Sequence, residues 1–139
     1  MWFGNLVTHE WWNGLWLNES FATQMAAISA AEVTEFGDTW HGFFTTSKQA
    51  AYHRDSRVTT HPIEVPVDST ADFFNVFDDI TYEKGSSVLK QLAHYVGEDN
   101  YRRGVSRYLK DYAYGTTNLD EFIEHQQRSS GIDLGRWSA

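Results

Sequence analysis

Between Glu10 and Glu32 this chain of 139 residues carries one formally charged side chain, Glu19. Its neighbours are aromatic, aliphatic or small: Trp11-Trp12-Asn13-Gly14-Leu15-Trp16-Leu17-Asn18 on one side, Ser20-Phe21-Ala22 on the other. A helix that is apolar over most of its circumference belongs in an interior. A carboxylate on such a helix must be protonated, hydrogen-bonded, paired with a cation or bound to a metal. No Lys or Arg precedes Lys48, so a partner close in sequence is missing. Whatever neutralises Glu19 is expected to come from elsewhere.

The length suits one domain with a real core, and aromatic residues at 16% supply bulk to fill it. A formal net charge of -8 opposes binding to nucleic acid or to anionic membranes. It suits a site that attracts cations or the positively charged ends of substrates. Without cysteine there is no disulfide frame and no thiolate metal site. No apolar run reaches membrane-spanning length, and the opening Met1-Trp2-Phe3 lacks the basic start of a leader, so the cytoplasm is the default expectation. Both ends read as cuts: Asp133-Leu134-Gly135-Arg136-Trp137 resembles the start of a helix left unfinished.

Periodicity predicts a mostly α fold, a bundle of five or six helices with one extended crossing. A helical turn over Met1 to Phe3 is expected to stop at Gly4, with Asn5 to Trp12 extended or irregular. The first long helix should run from Asn13 to Ala31, with Leu17, Phe21, Met25 and Ile28 as one stripe. Glu19 lies almost opposite that stripe, beside Leu15, Ala22 and Ala26. A second helix is expected from Asp38, as its cap, to Arg54. Val58 to Pro66 favours extended backbone, because Pro62 and Pro66 forbid helix. A short turn of helix at Asp72 to Val76 leads to a helix over Thr81 to Val96, ended by Gly97. Glu98 to Tyr114 forms the next, and Asn118 with Glu121 makes a capping-box pair for the last, closed by Gly131.

His9-Glu10-Trp11-Trp12-Asn13 imitates a zinc-protease helix motif, but Asn13 stands where a second histidine is required, and a neutral amide is a poor zinc ligand. It is a decoy. His41, His53, His61, His94 and His125 show no i, i+4 pair and read as structural or solvated residues. The tryptophans are expected to pack in the core rather than to form a sugar-stacking surface. Tyr82 opens a helix, where a tyrosine is ordinarily a core residue with a bonded hydroxyl. For Glu19 a hydrogen-bonded structural carboxylate and a metal ligand both stay open.

Several blocks in order resemble the zinc aminopeptidases of the aminopeptidase N type. They are Met1-Trp2-Phe3-Gly4-Asn5-Leu6-Val7-Thr8, Trp11-Trp12-Asn13, Leu15-Trp16-Leu17-Asn18-Glu19-Ser20-Phe21-Ala22, His61-Pro62-Ile63 with Val65-Pro66-Val67, and Phe77-Asp78-Asp79-Ile80-Thr81-Tyr82-Glu83-Lys84-Gly85. The similarity thins after about Gly115. In that family HExxH is followed by a spacer and then a glutamate. With the second histidine one position before Met1, residues 1 to 18 form that spacer and Glu19 is the third zinc ligand. The resemblance makes Tyr82 the donor that stabilises the oxyanion of the tetrahedral intermediate. It also lets Glu19 help hold the α-ammonium group of a peptide substrate.

The resemblance therefore implies the helical part, residues 1–139, of a thermolysin-like catalytic domain in a Zn2+-dependent aminopeptidase. The HExxH and the family's Gly-x-Met-x-Asn motif are not in this sequence, so the chain alone is expected to be inactive and to need the remainder of the catalytic domain as its partner. The alternative is a non-catalytic helical binding or scaffold module derived from the peptidase; a third reading is an aromatic sugar-binding domain.

Overall fold

The structure is a computed structural model and describes residues 1–138. Seven α-helices and one two-stranded sheet make up the described residues. The chain opens with a wide turn over Trp2–Leu6 rather than a helix end, because Phe3 is extended and Gly4 takes a φ of 108° that favours glycine. Strand β1, Val7–His9, pairs in parallel with β2, Gly115–Thr117, in the register Val7 to Gly115 and His9 to Thr117. Sequence reading left Asn5 to Trp12 extended or irregular, and gave neither the strand at Gly115–Thr117 nor the pairing. Three residues are too few for a period-two pattern to declare itself, and the pairing spans most of the chain.

A 3-10 turn over Trp12–Gly14 feeds α1, Leu15–Val33. This helix buries Leu17 and Phe21 as expected, and also Trp16, Asn18, Ser20, Gln24 and Ala27, so it is gripped on more than one side. Ala22 and Ala26, on the Glu19 face, are exposed. The small residues beside the carboxylate thus border an opening rather than a packed interior.

Helix α2 (Thr39–Gly42) runs through a π turn at Phe43–Ser47 into α3 (Lys48–Asp55), interrupting the single helix expected there. Asp38 precedes α2 without a side-chain capping bond. The segment 58–66, expected to be extended, instead opens with a turn at 58–59 closed by the Thr60 amide on the Arg57 carbonyl, bends at 63–64 and pairs with no strand among the described residues; Ser69 caps α4, Thr70–Val76, by accepting from the Asp72 amide. A π turn at Ile80–Lys84 then leads into α5, Gly85–Val96, which ends at Gly97. Helix α6, Glu98–Asp111, is shorter than expected, and α7, Leu119–Ser130, begins with the full Asn118–Glu121 capping box and ends at the left-handed Gly131. Residues 135–137 form only a turn, and Ala139 lies outside the described residues.

Helix α1 packs on α5, and α6 on α7. Leu17, Phe21, Leu89, Leu92, Val96, Tyr108 and Phe122 form a common core. The Phe3 ring stacks on Phe21 at 3.8 Å, and Tyr108 meets Phe122 edge-on at 5.4 Å. The expectation that the tryptophans pack inside holds for Trp16, at 8% exposure, and fails for Trp2 and Trp11, which stand 59% and 52% exposed. The indole N–H of Trp11 donates to the Val67 carbonyl at 2.6 Å, so its polar edge is anchored while its face stays open.

Candidate active site

Glu19 projects from the first turns of α1, and Tyr82 from the π turn ahead of α5. Both are half-buried, and their two elements pack directly on each other. The local chain explains why these two side chains meet. Ser20, the neighbour of Glu19, donates its hydroxyl to the carbonyl of Thr81, the neighbour of Tyr82, at 2.6 Å. Burial, then the negative charge of Glu19 and then hydrogen bonding toward its carboxylate push Tyr82 up to about 12. At neutral pH the phenol is therefore protonated and available as a donor. Phe77 packs its ring against Tyr82, centroids 5.0 Å apart, and restricts its tilt.

Glu19 makes no ion pair among the described residues. A carboxylate without a cation, bordered by exposed alanines, has the chemistry to serve as one ligand of a metal site. It fits only in part, since no group of three or more His, Cys, Asp or Glu among the described residues is placed to hold a metal ion. The remaining ligands would have to come from residues outside this chain.

Asp78 supports the Tyr82 turn, a role that sequence reasoning missed. Its main-chain carbonyl accepts from the Tyr82 amide at 3.2 Å, and its Oδ1 accepts from the Ile80 amide at 2.9 Å. Arg54 Nε donates to its Oδ2 at 2.7 Å, and His61 Nε2 lies 3.3 Å away. Burial alone would raise the Asp78 carboxyl. The Arg54 guanidinium, the Ile80 amide and His61 outweigh it and hold the group below its usual range.

Glu64 was missed in the same way. Both its oxygens are held, Oε1 by Asn13 Nδ2 at 2.8 Å and Oε2 by the Trp16 indole at 3.2 Å, which pins the segment around Glu64 across the start of α1. The signal was present, because Glu64 is the one charge within Pro62 to Val67, as Glu19 is within its own stretch.

His9 is nearly buried on β1, far from a helical metal motif. Its Nδ1 faces the Thr117 carbonyl at 3.3 Å, and a Cβ on Gly14 would come within 2.8 Å of the ring. Burial, only partly offset by that hydrogen bond and by Glu64, lowers its pKa and keeps it neutral. The other histidines keep to structural or solvated surroundings. His41, His53 and His94 are exposed, and His125 bridges the Glu121 carbonyl and Asp111.

The "Peptidase family M1 domain" matches residues 1–137, and the chain belongs to this family of metallopeptidases. Aminopeptidase N of Streptomyces lividans is 46% identical over 140 residues, covering 99% of this chain and 16% of that protein. Leucyl aminopeptidase of Saccharolobus solfataricus is 47% identical and covers 96% and 17%. Alanine/arginine aminopeptidase of Saccharomyces cerevisiae is 41% identical and covers 96% and 16%. The chain thus spans about a sixth of the length of these curated relatives. The family match continues well past Gly115, where the sequence motifs thin out.

Proposed function

We propose that this chain is the helical part of the catalytic domain of a zinc aminopeptidase that releases N-terminal residues from peptides. Its family membership and the aminopeptidase names of its relatives support the reaction class. The observation that carries the site assignment is the convergence of Glu19 and Tyr82 from two separate elements, a carboxylate without a counter-ion facing a protonated phenol.

In this reading Glu19 is one of three protein ligands, and two histidines outside this chain complete the set. Bound Zn2+ supplies Lewis acidity toward the scissile carbonyl and a water of lowered pKa. Tyr82 donates its phenolic hydrogen bond to the oxygen that becomes negative in the tetrahedral intermediate, a contact that strengthens as charge develops. The Glu19 charge also attracts the α-ammonium group of the peptide, which favours reaction at a free N-terminus. Trp11 and Phe74, both exposed and linked through the rings of Trp12 and Phe73, belong to the surface on which we place the rest of the catalytic domain.

The test is Tyr82→Phe in the complete polypeptide that carries this chain, assayed by amino-acid release from an aminoacyl anilide. Loss of one oxyanion donor should lower kcat by a factor of about 100 to 1,000 with little change in KM. An unchanged kcat would remove Tyr82 from the chemistry.

A further inference from the structure

The elements that carry Glu19 and Tyr82 are also joined through the residues next to them, Ser20 and Thr81. Ser20 is fully buried, and Thr81 is 5% exposed. The Ser20 hydroxyl donates to the Thr81 carbonyl at 2.6 Å, one peptide before Tyr82. Thr81 is held from its other side as well, because its Oγ1 donates to the Val76 carbonyl at 2.5 Å. The approach of the two backbones leaves no slack. A Cβ on Gly85 would lie 1.9 Å from Ser20 Oγ and 3.1 Å from the Trp16 ring, so a side chain at Gly85 would displace the Ser20 hydroxyl from its bond or part the turn from α1. Water cannot reach this bond to replace it, and losing the donor would leave a buried carbonyl without its side-chain partner.

The Ile80–Lys84 turn is a π turn, wider than an α-helical one, and its side chains are not fixed by regular i to i−4 spacing alone. Something must set how far the phenol stands from the carboxylate. We propose that Ser20 is a positioning residue of the active site, whose hydrogen bond to the Thr81 carbonyl, seated against Gly85, sets the separation between Glu19 and the Tyr82 hydroxyl. The proposal rests on the roles given to Glu19 and Tyr82 above. Ser20 touches no reacting atom and acts only through Tyr82.

The experiment is a double-mutant cycle in the complete, zinc-loaded polypeptide. Ser20→Ala should lower kcat about tenfold with KM within about twofold, while zinc content stays at the wild-type level. In the Tyr82→Phe background the same change should cause no further fall, because the hydroxyl it positions is gone. Ser129→Ala removes a hydroxyl-to-carbonyl bond of the same kind, 2.8 Å to Asn100, between α6 and α7, and should leave kcat alone. In metal-free protein, amide exchange across Ile80–Lys84 should quicken about tenfold in Ser20→Ala and not in Ser129→Ala.

Wild-type kcat in Ser20→Ala would overturn the proposal. So would an equal fall in the presence and absence of the Tyr82 hydroxyl. If Ser20→Ala does not fold, Ser20→Cys, near in size and a weaker donor, carries the same cycle with a smaller expected loss and the same overturning results. Tyr82→Phe with wild-type kcat is the separate outcome that defeats the underlying reading, and this proposal falls with it.

Discussion

At the scale of single residues, isolated charge was the informative signal. Glu19 and Glu64 each stand alone in an apolar run, and each occupies a defined position, Glu19 facing Tyr82 and Glu64 clamped by Asn13 and Trp16. Replacing Glu19 by alanine in the complete polypeptide should strip zinc, measured by metal analysis; full occupancy in the variant would contradict its role as ligand. His9 gives a prediction of another kind. Burial holds its folded pKa below the ordinary 6.5, so the unfolded chain takes up the proton first as pH falls. Stability from this residue is therefore intact above about pH 6.5 and declines below it. His9→Gln removes the titration, and the drop in melting temperature between neutral and mildly acidic pH should shrink. An undiminished drop would show that His9 does not contribute to it.

At the scale of elements, the caps and the π turn decide what the helices can do. Asn118 accepts from the Glu121 amide while Glu121 returns a bond to the Asn118 amide, so α7 starts from a reciprocal pair. Asn118→Ala should cost about 1 kcal/mol of stability in a denaturant titration. A variant as stable as the wild type would show that this cap contributes little. The Tyr82 turn depends on Asp78 in a way that pH can probe. Its carboxyl sits below the usual 3.8, so the stability it confers is present above that value and is lost as pH falls through the folded pKa. Asp78→Asn should be less stable at neutral pH and should lose less stability on acidification, as followed by melting temperature across pH 6 to 3 on the scale of ordinary carboxyl titration, about 4.

At the scale of the whole molecule, two packed pairs, α1 with α5 and α6 with α7, share one aromatic and aliphatic core. The parallel pair β1–β2 ties the beginning of the chain to its last third, and the Tyr108 hydroxyl locks α6 to that sheet through Thr117 at 2.6 Å. Trp2, Trp11 and Phe74 stand exposed on the same molecule. If the proposed ligand set is right, this chain supplies one of three ligands, and by itself it should give no turnover of an aminoacyl anilide above background even with zinc supplied. Release at ordinary enzyme rates would refute the assignment of the missing ligands to residues outside it.

Most helix positions were legible because they rest on local causes. Apolar spacing marked α1 and α5, Gly97 and Gly131 marked the stops of α5 and α7, and Asn118 with Glu121 marked the start of α7. The π turns escaped, because widening a helix by one residue leaves the apolar spacing nearly unchanged. The three-residue strands escaped because their hydrogen bonds join distant segments. Sequence also named Glu19 and Tyr82 as candidates, one by its isolation and the other by resemblance. Their meeting was a tertiary decision. It required Ser20 to reach the Thr81 carbonyl, Gly85 to leave room for that approach and Arg54 to hold Asp78 beneath the turn. Such contacts depend on the distance between two backbones, and no local pattern of residues encodes that distance.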